Sequence, residues 1–194
     1  MRELIYYVAS TLDGFIARED GSLGDFPWDD RYGAELLRAY PETFPAHLRE
    51  GEFSREEHKR FDAVLMGRKT YEVGLDAGFS NPYPTLDQYV FSRSYPESPD
   101  PNVEVVRHKA VDVVRDVKKE MGKAIWLCGG AELAATLLEA GLIDGLIIKL
   151  NPVLFGAGIP LFGQGIRPRV LDLRDSKVFE SGHAILHYRV RAAC

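Results

Sequence analysis

The sequence predicts an α/β fold: a mainly parallel central sheet with helices on both faces and an antiparallel hairpin at one edge. Short apolar runs alternate with amphipathic helical stretches through most of the chain, the signature of βαβ units. From Arg169 to Arg191 two strand-like runs meet near Ser181-Gly182 with no helix between them, so the last pair must be antiparallel. The length of 194 residues suits one globular domain with a real core.

The elements follow in order. Ile5, Tyr7 and Ala9 alternate with Leu4, Tyr6 and Val8, all apolar, as expected of a central strand covered on both faces. Ser10 to Asp30 carries Asp-Gly twice, then Gly24 and Pro27, and reads as a long loop of the kind that often serves function. Helices are expected over Tyr32 to Tyr40 and over Ser54 to Phe61, where Ser54 and Glu57 have capping-box spacing. The run Ala-Val-Leu-Met before Gly67 is a buried strand; Asn81 to Leu86 is a proline-rich loop; Gln88 to Ser92 and Val103 to Val106 are strands separated by a second such loop.

Val111, Val114, Val117 and Met121 recur at helical spacing, which predicts an amphipathic helix over Ala110 to Met121. Ala124 to Cys128 is a strand, Gly129-Gly130 opens the next helix, and Gly141 ends it as a C′ glycine. Leu142 to Leu154 follows as a strand.

Composition narrows the function. The formal net charge of -5 argues against nucleic acid as the main partner, since phosphate-backbone binding needs a basic surplus or face. No apolar run approaches the length of a membrane helix, and the first ten residues do not read as a signal peptide. Cys128 and Cys194 supply no disulfide or metal framework, and the five histidines have no metal-ligand spacing, so no metal site is expected and a reducing cytoplasm is the default location.

Three strand ends suit an anionic ligand, and open α/β sheets bind ligands at the carboxyl ends of their strands. After the third strand come Gly67, Arg68, Lys69 and Thr70: a close backbone approach, two cations and a hydroxyl at a helix start. Gly129, Gly130, Ala131, Glu132 and Leu133 open a helix that a pyrophosphate could approach, and Ser92 with Arg93 could hold a phosphate monoester. Each motif alone also reads as a solvated helix start, tight strand-to-helix packing or an exposed loop arginine.

The stretch from Asn151 to Phe162, with Pro152, Phe155, Gly156, Leu161 and Phe162, forms an apolar rim, or a bulge that needs glycine at positive φ. Ser10, Asp13 and Gly14 fall just past the first strand, and Asp29, Asp30 and Glu35 just past Trp28. An apolar pocket would let any of these carboxylates work as an acid.

LMGRKTYE, YVFSR, WLCGGAEL and LIDGLIIKLNPVLFGAGIPLF, in this order and at these intervals, resemble the dihydrofolate reductase-like proteins. They most resemble the branch that holds the reductase half of the riboflavin-pathway deaminase-reductase and its stand-alone relatives. The resemblance spans nearly the whole chain and implies a three-layer sandwich, NADPH as cofactor and a homodimer. It implies that Arg68, Lys69 and Thr70 meet the phosphates, that Ser92 and Arg93 approach the adenosine 2′-phosphate, and that Gly129 to Leu133 cradle the pyrophosphate. Ala9, Ile16 and Ala17 would border the nicotinamide; Ser10, Trp28 and the Asn151 to Phe162 segment would border a small heterocyclic or sugar-derived substrate, with Asp13 for proton relay or substrate binding.

Two positions depart from the family pattern. Gly33 stands where dihydrofolate reductases carry an acid, and Asp144-Gly145 stands where the riboflavin branch commonly has Asp-Glu. A nucleotide binder without turnover, a binder of flavin or another anion, and a purely structural use of these residues are the alternatives to a reductase.

Overall fold

In the computed structural model, residues 1–45, 58–95 and 97–191 are described. Ten strands and four helices run in the order β1 (Leu4–Thr11), β2 (Phe15–Ala17), α1 (Asp30–Ala39), β3 (Phe61–Gly67), α2 (Arg68–Asp76), β4 (Asp87–Phe91), β5 (Val103–Val106), α3 (Ala110–Val117), β6 (Ala124–Gly129), α4 (Ala131–Glu139), β7 (Gly145–Asn151), β8 (Ile159–Pro160), β9 (Leu171–Val178) and β10 (Ala184–Val190) among these residues.

Eight strands form one sheet in the order β5-β4-β3-β6-β1-β7-β10-β9. The members from β5 to β7 pair in parallel, so their carboxyl ends share one edge. β10 pairs antiparallel with both β7 and β9, the helix-free hairpin expected from the tail. Gly182, at φ 85°, turns the chain between its two strands.

The sheet separates two apolar layers. Leu4, Tyr6, Val8, Leu65, Ile125 and Leu127 pack beneath Val114 and Val117 of α3 and Leu137 and Leu138 of α4. Ile5, Tyr7, Val64, Met66, Trp126 and Ile147 pack on the other face with Tyr32 and Leu36 of α1 and Tyr71 of α2. Both faces of β1 are thereby buried, as its unbroken apolar run requires.

Local chemistry sets most boundaries, and several differ from the sequence expectation. α1 starts at Asp30 because the Asp29 carboxylate accepts the Tyr32 N–H, and Pro41 follows shortly after its end. α3 stops at Val117: the next residue, Lys118, sends its ammonium inward to the Leu142 carbonyl and the Asp144 carboxylate, and Met121 is 98% exposed, off the apolar stripe. β1 runs on to Thr11, paired with Asn151, so Ser10 is a strand residue and not the start of a loop.

β4 ends at Phe91, and Ser92 instead organises the turn, its hydroxyl accepting the Tyr95 N–H at 2.9 Å. β7 begins only at Gly145, because Asp144 is engaged with the Leu4 N–H and Lys118. Half of the helix expected over Ser54 to Phe61 falls outside the described residues; the other half is not helical, because the Glu42 carboxylate accepts the Arg60 and Phe61 N–H groups and Phe61 opens β3. The loop after β1 also holds β2, which pairs antiparallel with β8 in a small second sheet. Gly158 makes that pairing fit, since a Cβ there would lie 2.3 Å from the Ala17 carbonyl oxygen. No helix among the described residues is long and apolar enough to cross a membrane.

Candidate functional site

The carboxyl edge of the sheet brings the three expected strand ends together. β3 and β6 are neighbours, and each runs directly into a helix through glycine. Gly67 and Gly130 occupy the N-cap positions of α2 and α4, and neither helix start receives a side-chain cap. α3, over the edge strand β5, lacks one too, whereas Asp29 caps α1.

The two glycine starts touch. A Cβ on Gly67 would lie 3.2 Å from the Gly130 nitrogen, and one on Gly129 would lie 3.2 Å from Thr70 Oγ1. Gly129, at φ 153° and joined to Gly130 by a cis peptide bond, adopts a backbone that L side chains rarely take. The two helix starts therefore meet backbone to backbone, with the Thr70 hydroxyl beside the glycine pair, an arrangement that suits a pyrophosphate. Chain contacts alone leave the N–H groups there to water or a ligand.

Arg68 and Lys69 are exposed beside this junction. Arg68 leans on Glu72 at 3.2 Å, and Lys69 makes no ion pair among the described residues. Arg93, exposed just beyond β4 on the far side of β3, is likewise without an ion-pair partner among those residues. Ala131 is buried, Leu133 packs into the layer beneath α3 and α4, and the Glu132 carboxylate lies against Gly163, where a Cβ would approach Oε1 to 2.5 Å. Glu132 thus packs against the chain that returns from β8, with Gly163 donating its N–H to the Ala131 carbonyl at 2.9 Å.

The other half of the edge is built by β1, β2, β7 and β8. Ala17 is buried, and Ile16 packs against the core of the α3 and α4 face. Ala9 is the one partly exposed residue of β1 and pairs in register with Lys149 of β7. Asn151 ties the two strands, its side-chain amide donating to the Ser10 carbonyl at 3.3 Å and the Lys149 carbonyl at 2.8 Å.

Ser10 is 2% exposed and its hydroxyl donates to the Thr11 carbonyl. Leu161 accepts the Tyr6 hydroxyl on its carbonyl, Phe162 meets the Tyr6 ring edge-on at 5.3 Å, and Phe155 packs at a tilt on Phe26 while the Arg18 guanidinium covers its ring. These contacts make the segment from Asn151 to Phe162 a packed wall, with Pro152 at the surface near Gly182 and Gly156 at φ 73°.

Asp13 sits in the structure as an anchor. Its carboxylate accepts the Thr11 hydroxyl at 2.5 Å, the Gly156 N–H at 2.7 Å and the Phe155 N–H at 3.1 Å, joining the loop after β1 to the segment after β7. Those donors, the Thr11 hydroxyl foremost, hold its pKa below the ordinary carboxylate value. A carboxylate so held is ionised at neutral pH, which suits a fixed tie and not a proton donor.

The neighbouring acids are also engaged: Asp29 caps α1, and Glu35 pairs with Arg38 and with Lys177 at 2.8 Å. Trp28 is 64% exposed and lies across α1, where a Cβ on Gly33 would meet its indole at 2.1 Å. The departure at Gly33 therefore has a steric partner. Gly145 has one too, for a Cβ there would lie 2.8 Å from the Tyr188 carbonyl of β10.

One residue with chemical potential went unread in the sequence. Lys149 interrupts the apolar run of β7, and its Nζ lies 4.2 Å from the centre of the Tyr7 ring with no ion pair or hydrogen bond among the described residues. Burial pushes its pKa down from the usual lysine range to about 8. A cation set between Leu146-Ile147-Ile148 and Leu150 was the available signal. No cluster among the described residues could hold a metal ion.

These features define the class: an α/β protein with the dihydrofolate reductase-like fold and a glycine-lined junction between two helix starts. The chain belongs to the RibD C-terminal domain family, whose model matches residues 2–186. It is 34% identical over 192 residues to the uncharacterized protein YwjB of Bacillus subtilis, covering 98% of this chain and 99% of that one. A structure from Shewanella sp. PV-4, provisionally named for riboflavin biosynthesis, shares 25% identity with a TM-score of 0.71, covering 97% of this chain and 98% of that one. Dihydrofolate reductase from Enterococcus faecalis, solved with NADP(H), superposes with a TM-score of 0.64 at 18% identity, covering 98% and 97% of the two chains. At that identity the last likeness speaks for the fold alone.

Proposed function

We propose that this chain is an NADPH-dependent oxidoreductase acting on a C=N or C=O bond of a small pterin- or pyrimidine-like heterocycle or a sugar-derived substrate. The observation that carries this reading is the contact of two side-chain-free helix starts, Gly67 against Gly130 at 3.2 Å, with Arg68 and Lys69 exposed beside it. Such a cradle suits a pyrophosphate, and the family and fold make a nicotinamide dinucleotide its natural occupant. When bound, NADPH supplies the hydride; the chain binds, orients and excludes water.

In this reading Gly67, Thr70, Gly129, Gly130 and the first turn of α4 hold the pyrophosphate, Arg68 and Lys69 neutralise it, and Arg93 with Ser92 takes the 2′-phosphate. Ala9, Ile16 and Ala17 border the nicotinamide, and Trp28, Phe155, Leu161 and Phe162 shape the substrate side. A homodimer is part of the same proposal, and the outer strand β9, with Leu173 55% and Val178 73% exposed, offers a second copy apolar surface. Sedimentation at micromolar concentration tests it, and a monomer would remove that element alone.

NADPH titration followed by tryptophan fluorescence tests the main reading, using Trp28 and Trp126. Saturable binding is expected, followed by NADPH consumption with at least one of dihydrofolate, 5-amino-6-(5-phosphoribosylamino)uracil or a simple sugar aldehyde. The lack of side-chain carboxylates at Gly33 and Gly145 favours a second reading, a nucleotide-binding protein without turnover. Binding with no consumption across that panel would select it, and no binding would sink both.

A further inference from the structure

We propose that Lys149 is the proton donor of the reduction, with its Nζ facing the atom next to the carbon that receives hydride; this rests on the reductase reading. The geometry begins with three adjacent strands. On the face that carries α1, Ile5 and Tyr7 of β1, Trp126 of β6 and Ile147 of β7 are all buried, whereas Ala9, Cys128 and Lys149 are partly exposed. Ala9 and Lys149 are paired near the carboxyl edge, and Cys128, which follows Leu127, the partner of Tyr6, stands level with Tyr7 one step back on the same face. The cover over the sheet opens there.

Lys149 is the ionisable group best suited to this opening. Its Nζ sits over the Tyr7 ring at 4.2 Å, and its charge also acts on the Cys128 thiol. Tyr7 faces it from β1, Cys128 from β6, and Tyr83 reaches Cys128 from the loop after α2. No carboxylate among the described residues pairs with it, while Asp13, Glu35 and Asp144 are each committed elsewhere. A half-buried cation without a counterion is costly in a fold, and an enzyme that needs an acid near neutral pH has reason to keep one. The cation–π contact with Tyr7 keeps the ammonium positioned. Burial without an opposing carboxylate brings its titration close to physiological pH, where a general acid works best.

The step balances. Hydride adds to the carbon, the C=N or C=O π pair moves onto nitrogen or oxygen, and that atom takes a proton as the Nζ–H bond breaks. The neutral amine then regains a proton from water.

The test labels amines of the folded protein with trace acetic anhydride from pH 6 to 11 and reads each lysine by peptide mass spectrometry. Lys149 is expected to label with a midpoint near 8, below the ordinary lysine range, and saturating NADPH should slow its labelling at least tenfold while leaving that of Lys119 unchanged. In parallel, Lys149→Met should bind NADPH within threefold of wild type. On the panel member that wild type reduces, it should lose at least 100-fold in kcat, with Lys149→Arg losing almost as much because an arginine does not release its proton. An ordinary midpoint, NADPH binding without protection, or a Lys149→Met kcat within threefold of wild type overturns the proposal. Failure of wild type to bind NADPH overturns the reductase reading instead.

Discussion

The two halves of the carboxyl edge are built by different rules. At β3 and β6 each functional group sits within five residues of a strand end, because a helix that starts on glycine delivers backbone amides without help from distant chain. At β1 and β7 the groups come from far apart: Asp13 holds Phe155 and Gly156, Asn151 holds Ser10, and Lys149 rests on Tyr7. The glycine junction is local, and the side proposed for the reaction is tertiary. Substitutions in the first should change cofactor affinity, and those in the second should change turnover or stability.

The sharpest break of that division is Gly67→Val. Its side chain would press on the Gly130 nitrogen, already within 3.2 Å of a bare Cβ, and separate the two helix starts. We expect a stability loss of about 1–3 kcal/mol by chemical denaturation and a fall in NADPH affinity of at least about 100-fold, roughly 2.7 kcal/mol. On the other side Trp28→Ala should leave NADPH affinity within threefold, since the exposed indole covers Gly33 and not the cradle. If both variants weaken NADPH equally, the division fails.

Next in size is Arg93→Ala. One charge-assisted contact to a 2′-phosphate is worth about 1.5–3 kcal/mol, and NADH lacks that group. NADPH binding should weaken by that amount and NADH binding stay as it was, as read by paired fluorescence titrations. Equal losses would remove Arg93 from the site.

This division also marks how much of the molecule was legible in the sequence. The order of strands and helices, the antiparallel tail and the glycine helix starts are written in short windows, where periodicity and backbone freedom act. β2 and β8 escaped notice because a three-residue and a two-residue strand have no period to read; only the close approach of Gly158 to Ala17 pairs them. Asp13 reads first as an Asp-Gly turn residue and only second as an acid, and its tie appears only when the two N–H groups after β7 arrive to occupy it. Lys149 was visible as an oddity in an apolar run, but its meaning depends on Tyr7 and Cys128 from two other strands.

Lys149 gives the reaction side a pH signature. Its folded pKa, pushed down to about 8 by burial, lies below the unfolded value, so between the two the unfolded chain binds more protons and stability rises with pH. The charged amine destabilises the fold most fully at neutral pH and below. Since Lys149 retains some solvent exposure, a gain of about 1 kcal/mol or less is expected between pH 8 and 9. Lys149→Met should lack that gain in urea melts at the same two pH values. The Cys128 thiol, pushed up to about 12 by burial, works in the opposite direction from about pH 8.5 upward, and because both proteins carry it the difference between the two curves isolates the lysine. A wild-type curve parallel to that of the variant would show an amine that titrates as if in water.

The smallest effect should come from Arg68→Ala in the absence of cofactor, and its smallness is informative. Arg68 forms an i,i+4 pair with Glu72, worth about 0.3–0.5 kcal/mol. It also places a positive charge on the first turn of α2, where the helix dipole disfavours a cation by about 0.3–1 kcal/mol. The two terms oppose each other, so removing the side chain should move the stability of the free protein by no more than about 0.5 kcal/mol in either direction. With NADPH present the balance changes, because an anion in the cradle turns the misplaced charge into a favourable one. Thermal shifts measured with and without NADPH should therefore coincide for the free forms and diverge for the bound ones, wild type gaining more. A variant that loses as much stability without NADPH as with it would make Arg68 a structural residue and leave the cradle to its glycines alone.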